Sequence, residues 1–307
     1  MTVLVSTLRR TIESDLAYSL SRSPLTLAAA FVTVAFLAAA LLAPWIAPQN
    51  PFDPASLALL DAFSPPVWSD GGTWQFWLGS DDQGRDVFSA ILYGLRVSTF
   101  VGVASVLLAM LIGVALGLIA GYFGGIVDSV IMRIADVQLS FPVILIALLI
   151  NGVARVALPR ASVDDLAIPV LILSIALSGW VNFARTVRGS TMVEKNKEYV
   201  QAARVIGRPA SAIMLRHILP NVTGPVLVIA TVSLAVAILA EATLSFLGVG
   251  VPPTQPSLGT LVNTGNNFLF SGEWWIVVFP GAALATLVLA VNLLGDWLRD
   301  ALNPKLR

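Results

Sequence analysis

The sequence offers few side chains that could carry out enzymatic chemistry. It has no cysteine and a single histidine, His217, which excludes disulfides, thiolate nucleophiles, Cys/His zinc sites and most imidazole catalysis. The remaining candidates are hydroxyls and carboxylates, and the carboxylates that stand out are a cluster of aspartates around Gly84, and Glu241. The sequence contains no Gly-x-x-x-x-Gly-Lys-Ser/Thr phosphate loop, so we do not expect the chain itself to bind ATP. We also expect it to hold no other cofactor and no metal.

The aspartate cluster could suggest a calcium loop, because carboxylate oxygens are the ligands that calcium prefers. The segment reads Leu78-Gly79-Ser80-Asp81-Asp82-Gln83-Gly84-Arg85-Asp86. In the EF-hand register that ends at Gly84, glycine and glutamine occupy ligand positions, and Ala90 stands where the bidentate Glu belongs. A capped turn leading into an interfacial helix is the simpler interpretation.

Glu241 is the one acidic residue deep in an apolar run. Carboxylates within a membrane are costly, and they usually face a cavity or a partner. Two interpretations stay open: a contact with a transport pathway or another subunit, and a structural hydrogen bond.

Hydropathy shows which elements must position these groups. Of the 307 residues 57% are hydrophobic and 12% are charged, whereas a soluble domain has roughly half and a quarter. A helix needs about 20 apolar residues to cross a bilayer. Such stretches predict an all-α integral membrane protein with about six transmembrane helices, at 25–48, 97–127, 127–154, 166–184, 222–246 and 274–295.

Lysine and arginine predict the orientation, because they concentrate in cytoplasmic segments. With the N-terminus inside, 14 of the 18 Lys and Arg residues lie on the cytoplasmic side. The predicted layout is a cytoplasmic N-terminal segment 1–24, an uncleaved first helix 25–48, an external loop 49–96 and a cytoplasmic tail 299–307. We therefore expect a multi-pass membrane protein with both termini on the cytoplasmic side. Mutual pairing of Asp128, Arg133 and Asp136 is expected at the inner end of the third helix.

The internal segment 185–221 is too long for a simple connector. It is predicted to form two short helices: Asn196 caps the first, Gly207 ends it, Pro209 starts the second and Pro220 limits it.

One face of the first short helix is apolar and small. Tyr199, Ala202, Ala203 and Ile206 share it at helical spacing. Such a stripe could dock on another protein or pack on the chain's own helices. A second small-residue stripe, Gly113, Gly117 and Gly121, predicts close packing between two spans.

The internal segment resembles the cytoplasmic coupling loop of bacterial ABC importer permeases, whose pattern is Glu-Ala-Ala, three residues, Gly, nine residues, Ile, any residue, Leu-Pro. The spacing matches throughout; Gln201 replaces the usual Glu and His217 the usual Ile. The specified positions of the pattern are occupied here by Gln201, Ala202, Ala203, Gly207, His217, Leu219 and Pro220. In that family the loop fits a groove on the ATPase, and the resemblance implies that Ala202 and Ala203 permit a close approach.

The external segment is similar to the Leu-Gly-Thr-Asp-x-x-Gly-Arg-Asp motif of the second permease subunit of dipeptide and oligopeptide importers. The residues that carry this likeness are Gly79, Asp81, Asp82, Gly84, Arg85 and Asp86. Further segments that resemble the sequences of this family are Ala120–Gly125, Ser140–Pro142, Glu241–Gly248 and Gly295–Pro304.

The resemblance implies a MetI-like, type I ABC importer permease fold, with a five-span core at 97–298 preceded by an added first span. It also implies the partners: a homologous permease subunit, two cytoplasmic ATPases that hold ATP and Mg, an extracytoplasmic substrate-binding protein and membrane lipid, but no nucleic acid. Transport would proceed by alternating access, driven by ATPases that bias a two-state equilibrium.

Two other classes of protein remain as alternatives. A secondary carrier would need coupling-ion carboxylates and commonly inverted halves, and an intramembrane hydrolase would need a catalytic pair; the sequence shows neither. The identity of the substrate stays open, because the permeases of dipeptide, oligopeptide, glutathione, nickel-chelate and opine importers share these sequence motifs.

Overall fold

A computed structural model describes residues 23–53, 57–157, 163–252, 254–255 and 257–301. Within these ranges the chain is almost entirely helical, and its only β-type pairing is an isolated bridge between Ser80 and Asp86. Most of the predicted N-terminal segment 1–24 and of the predicted tail 299–307 lies outside the described residues, as does Pro253.

The helices follow one another in this order: α1 (Pro24–Ile46), α2 (Val87–Phe123), α3 (Gly125–Leu139), α4 (Val143–Ala157), α5 (Val163–Glu194), α6 (Glu198–Val205), α7 (Ala210–Ile213), α8 (Leu219–Phe246), α9 (Leu258–Asn266) and α10 (Trp275–Ala301). A π-helical turn, Met214–Ile218, joins α7 to α8.

Five helices in the described chain are long and apolar enough to cross a membrane, or six if the bent pair α3–α4 counts as one span. This agrees with the predicted number. The first is capped by Ser23, whose side chain accepts a hydrogen bond from the Thr26 backbone N–H. Pro44 lies inside this helix, which ends two residues later at Ile46.

Glycines hold α2 and α5 together, as the spacing of the stripe predicts. A Cβ atom added to Gly113 would lie 2.4 Å from the Trp180 carbonyl oxygen. At Gly117 it would lie 2.6 Å from the Ala184 carbonyl oxygen, and at Gly121 it would lie 2.8 Å from the Arg188 carbonyl oxygen. The two backbones therefore approach more closely than any side chain allows.

The third span was predicted as one continuous helix, and this is wrong. α3 ends at Leu139, and α4 starts at Val143 after a bend of 96°. Pro142 explains the break, because proline disfavours helical geometry in the residue before it and cannot donate a backbone hydrogen bond. Its carbonyl then accepts from the Leu145 N–H at 2.9 Å, which begins the next helix.

The predicted pairing among Asp128, Arg133 and Asp136 is also wrong. Asp128 pairs with Arg188, and Asp136 pairs with Arg185. Both arginines lie on α5, so the ion pairs join α3 to a neighbouring helix. Spacing along the sequence does not distinguish an ion-pair partner on the same short helix from a partner on another helix.

The helix of the second span begins earlier than the predicted boundary at residue 97. α2 starts at Val87 because the Asp86 carboxylate accepts a hydrogen bond from the Ser89 N–H at 2.9 Å and caps it. Its 37 residues correspond to about 55 Å of helix, longer than the roughly 30 Å hydrocarbon core. The helix therefore extends beyond the bilayer core.

Replacing Gly117 with alanine should weaken the packing of α2 against α5. The new methyl group would meet the Ala184 carbonyl oxygen at 2.6 Å, and overpacking of this kind costs about 1–3 kcal/mol. We expect a lower melting temperature, measured by tryptophan fluorescence of the purified protein in detergent. Gly189→Ala on α5 is the control, because nothing lies within 4 Å of its added Cβ. Equal melting of the two variants would contradict the close contact.

Candidate functional site

The internal segment folds around α6, which stands between the ends of α5 and α7. Gly207 ends this helix in the left-handed region, at φ +77°, as predicted, because glycine adopts this conformation without strain. The Arg208 N–H then closes the turn on the Ala203 carbonyl at 3.1 Å. α6 is thereby fixed as an isolated short helix.

Two details of the predicted hairpin are wrong. Lys197, not Asn196, occupies the N-cap position of α6; the Asn196 amide instead donates to the Met192 carbonyl at 3.1 Å. Pro220 does not limit a second short helix, because one helical stretch runs from Ala210 to Phe246. The π turn widens this helix just before Pro220, where proline has no N–H to give to the preceding turn.

α6 has one face inside the protein and one face outside. Val200 and Ala203 are buried in the main hydrophobic core. Gln201 and Ala202 are exposed, and Val205 and Ile206 are 89% and 76% exposed. The predicted stripe is therefore split: Ala203 packs inside the chain, whereas Ala202 and Ile206 are exposed.

A polar network attaches α6 to the ends of α5 and α8. The Tyr199 hydroxyl donates to one Glu194 oxygen, and Lys197 Nζ donates to the other at 2.6 Å. The Asn221 amide donates to the same hydroxyl at 3.2 Å. Burial and the Glu194 carboxylate raise the pKa of Tyr199 to about 12, so the hydroxyl stays protonated and available as a donor.

Two further contacts join the same segment to the end of α2. Lys195 Nζ donates to the Gly121 carbonyl at 2.7 Å. The Arg204 guanidinium carbon lies 5.0 Å from the centre of the Tyr122 ring, within the range of a cation–π interaction. α6 is consequently linked to three long helices: α2, α5 and α8.

The second half of the predicted coupling pattern lies where α7 passes into α8. His217 is half-buried, and its carbonyl accepts from the Asn221 amide at 2.7 Å. Leu219 packs against the main core, and Pro220 is exposed.

The external motif forms a tight turn around a buried ion pair. Asp81 accepts hydrogen bonds from the Gln83 and Arg85 backbone N–H groups at 2.9 Å, and Arg85 Nε lies 2.6 Å from its second oxygen. The side chains of Asp81 and Arg85 are only 4% and 8% exposed. Asp82 lies at the rim, 4.0 Å from Arg85, and burial with the neighbouring Asp81 raises its pKa.

The motif glycines allow this turn to pack closely. Gly79 and Gly84 have φ of +87° and +74°. A Cβ atom would lie 2.7 Å from the Trp275 ring at Gly79 and 2.2 Å from the Ala58 carbonyl oxygen at Gly84. Trp275 Nε1 also donates to the Ser80 carbonyl at 3.0 Å, so the motif fastens the external loop to the start of α10. In the described part of the chain no group of three acidic or histidine side chains is placed to hold a metal ion.

Glu241 lies inside the chain and is fully buried. Its Oε1 accepts from the Ser245 hydroxyl at 2.7 Å, and the Ser98 and Ser257 hydroxyls lie beside the carboxyl group. Ser98 also accepts from the Leu258 N–H at 3.1 Å. Of the two open interpretations, this geometry favours the structural hydrogen bond: Glu241 belongs to a polar cluster that joins α2, α8 and α9.

An open groove of about 550 Å³ lies between α2, α5 and α8. Its walls are mainly apolar and carry scattered hydroxyl and amide groups from Ser105, Ser178, Asn182, Thr186 and Ser233. We did not predict this groove from the sequence. Small polar residues within apolar spans are its only sequence signal, and they occur equally in helix packing.

The fold and the sequence motifs are both typical of one protein family. Residues 113–307 match the family described as "Binding-protein-dependent transport system inner membrane component". The chain belongs to this family, and it is a multi-pass membrane permease of the ABC importer type.

Named relatives cover most of the chain. It is 40% identical over 267 residues to the dipeptide transport system permease protein DppC of Haemophilus influenzae, covering 87% of this chain and 86% of the relative. It is 38% identical over 256 residues to the oligopeptide transport system permease protein OppC of Bacillus subtilis, covering 83% and 78%. It is 40% identical over 239 residues to the glutathione transport system permease protein GsiD of Pectobacterium atrosepticum, covering 78% and 76%.

A solved structure supports the fold. An inward-facing conformation of the MetNI methionine ABC transporter matches with a TM-score of 0.52 and 17% sequence identity, over 70% of this chain and 96% of that chain. The predicted type I importer permease fold is therefore confirmed.

Two aspartates of the external motif should respond differently to substitution by asparagine. Asp81→Asn breaks a buried ion pair, which costs about 3–5 kcal/mol. Burial raises the pKa of Asp86, so its charged form is disfavoured in the folded state and the folded protein gains stability as the pH falls toward that pKa. Asp86→Asn removes the charge and keeps an acceptor for the Ser89 N–H, so we expect stability at neutral pH to stay equal or rise. Thermal unfolding checks both variants, and equal losses would refute the distinction.

Proposed function

We propose that this chain is the permease subunit of a peptide importer, and that it carries di- or oligopeptides across the bacterial cytoplasmic membrane. Relatives named for dipeptide and oligopeptide transport, at 40% and 38% identity, support this substrate class. The glutathione permease relative at 40% identity makes glutathione the second candidate, itself a modified tripeptide.

The proposed assembly needs partners. A homologous permease subunit would complete the groove between α2, α5 and α8, two ATPases would bind ATP and Mg, and an extracytoplasmic binding protein would deliver the peptide. This chain would bind no nucleotide itself, because it lacks a phosphate loop. The lysine and arginine distribution supports placing α6 and both termini in the cytoplasm.

One observation carries the proposed mechanism: the three helices linked to α6 all contribute to the walls of the groove, which Val143 of α4 and Arg299 of α10 complete. A displacement of α6 by an ATPase would therefore act directly on the walls of the groove. Because α2 and α5 are in backbone contact at their glycines, these two helices would move together, and α8 would move relative to them. In this way the ATPases would bias the equilibrium between inward-open and outward-open states.

Deleting this chain in its native host should abolish uptake of labelled dipeptides or oligopeptides, and a plasmid copy should restore it. The measurement is accumulation of labelled dipeptide, tetrapeptide and glutathione by intact cells. Loss of glutathione uptake alone would leave the permease role and overturn the peptide assignment. Unchanged uptake of every labelled substrate, with the chain absent, would contradict both.

Adjacent alanines on α6 should separate docking from folding. Ala202→Trp adds bulk to the exposed face, so the permease should melt normally but co-purify poorly with the ATPases, with affinity lowered roughly tenfold or more for a loss of about 1–3 kcal/mol. Ala203→Trp is the matched variant, because Ala203 is 5% exposed and the permease itself should melt early. Full ATPase retention by Ala202→Trp, assayed by pull-down, would show that this face is not the docking surface.

Tyr199→Phe should reduce coupling. It removes one hydrogen bond to a carboxylate, worth about 1.5–3 kcal/mol, and loosens α6 from α5 and α8. In proteoliposomes we expect ATP hydrolysis to continue while peptide transported per ATP falls. Tyr122→Phe is the control: its ring stays beneath Arg204, and its hydroxyl makes no hydrogen bond to another of the residues that the structure describes. If both variants transport equally well, the Tyr199 network does not transmit the motion.

A further inference from the structure

A second groove, of about 760 Å³, lies between α1 and α2 on a face unrelated to α6. We call it the α1–α2 groove and define it by Leu37, Leu41, Tyr93, Arg96, Phe100 and Val103. Its lining is mainly apolar, and its polar side chains are Arg96, Tyr93, Thr99 and Gln255. Leu41 and Phe100 are 72% and 59% exposed, so the described chain leaves this surface uncovered.

The cation of this groove has no counter-ion within the described chain. Arg96 is exposed, no carboxylate lines the groove, and the ion pairs found among the described residues all involve other cations. An unpaired arginine bordering a hydrocarbon layer is costly unless it reaches a polar or anionic group. The groove therefore combines an apolar channel with an uncompensated positive charge.

The position of Arg96 along α2 sets its depth. At the opposite end of this helix Lys195 contacts the Gly121 carbonyl. Gly121 follows Arg96 by 25 positions, a helical rise of about 38 Å, slightly more than the roughly 30 Å hydrocarbon core. These two cations thus bracket the core, and Arg96 lies at the level of the lipid headgroups.

The apolar part of the groove extends from Arg96 towards the middle of the membrane. Phe100 and Val103 follow Arg96 by four and seven residues, so they continue the same face of α2 over the next two turns. Leu37 and Leu41 of α1 provide the opposite wall. The Phe52 and Tyr93 rings, with centroids 5.2 Å apart, lie at the headgroup end, where aromatic side chains are favoured.

We propose that the α1–α2 groove binds one phospholipid with an anionic headgroup, whose phosphate contacts the Arg96 guanidinium while an acyl chain lies along Phe100 and Val103. Charge complementarity distinguishes this occupant from a transmembrane helix of another subunit, which would have to place a carboxylate opposite Arg96. The lipid would fill the space between α1 and the rest of the bundle. This site is independent of the transported substrate.

The test uses the transporter purified from its native membrane through a tag on this chain, with bound lipids identified by native mass spectrometry. We expect a phospholipid with an anionic headgroup to be retained through detergent washing. Arg96→Gln should lower the preference for phosphatidylglycerol over phosphatidylcholine roughly tenfold, as loss of one charge-assisted hydrogen bond does. The preference is measured with spin-labelled lipids in vesicles of the two phospholipids. Arg133→Gln, an exposed arginine outside the groove, is the charge control and should leave the preference unchanged.

A second pair of variants tests the acyl channel without altering charge. Val103→Trp fills the groove and should displace the retained lipid, whereas Leu289→Trp, at an exposed position of α10 outside the groove, should not. Three results would overturn the proposal: no more lipid retained by the unchanged protein than by Val103→Trp, an unchanged headgroup preference in Arg96→Gln, or loss of a second permease subunit from Val103→Trp. The last result would identify the groove as a subunit interface.

Discussion

The backbone contact between α2 and α5 is the constraint on which the rest of the structure depends. Glycines at 113, 117 and 121 let carbonyl groups of α5 approach where a side chain would otherwise stand. Within a bilayer, water expulsion does not drive helix association as it does in a soluble core, so close van der Waals packing of small residues becomes decisive. This contact aligns the two helices over several turns. It thereby fixes two walls of the groove and brings the end of α5, with Glu194 and Lys195, beside the end of α2.

Polar interactions hold the neighbouring elements at both ends of these helices. At the end near α6, Lys195 and the Tyr199 network hold α6 against three helices, while ion pairs of Arg185 and Arg188 hold α3 against α5. At the other end, the Asp81–Arg85 turn fastens the external loop to α10, and the Glu241 cluster holds α9 between α2 and α8. Asp81, Arg85 and Glu241 are buried at these junctions, and each has at least one hydrogen-bond partner, which offsets the cost of placing them out of water.

The two motifs that carry the family resemblance have different physical roles. The external motif is mainly internal: its Asp81–Arg85 ion pair is buried, and its glycines fit against other segments, so it shapes the loop rather than presenting side chains. The internal motif is divided between an inner face, with Val200 and Ala203, and an exposed face, with Ala202 and Ile206. A shared sequence motif therefore does not distinguish buried residues that support a surface from exposed residues that form it.

The sequence by itself determined the class of protein, the number of spans, the glycine contact and the stop at Gly207, because hydropathy, small-residue spacing and glycine's left-handed conformation act locally along a helix. Tertiary structure decided what depends on partners far apart in the chain. It decided that Asp128 and Asp136 pair across to α5, that the helix breaks before Pro142 yet passes through Pro220, and that Ala203 faces inward. It also decided that Glu241 is enclosed by serines from two other segments. A carboxylate or a small apolar side chain has the same local signature in each of these settings, and only the packing of helices against one another chooses among them.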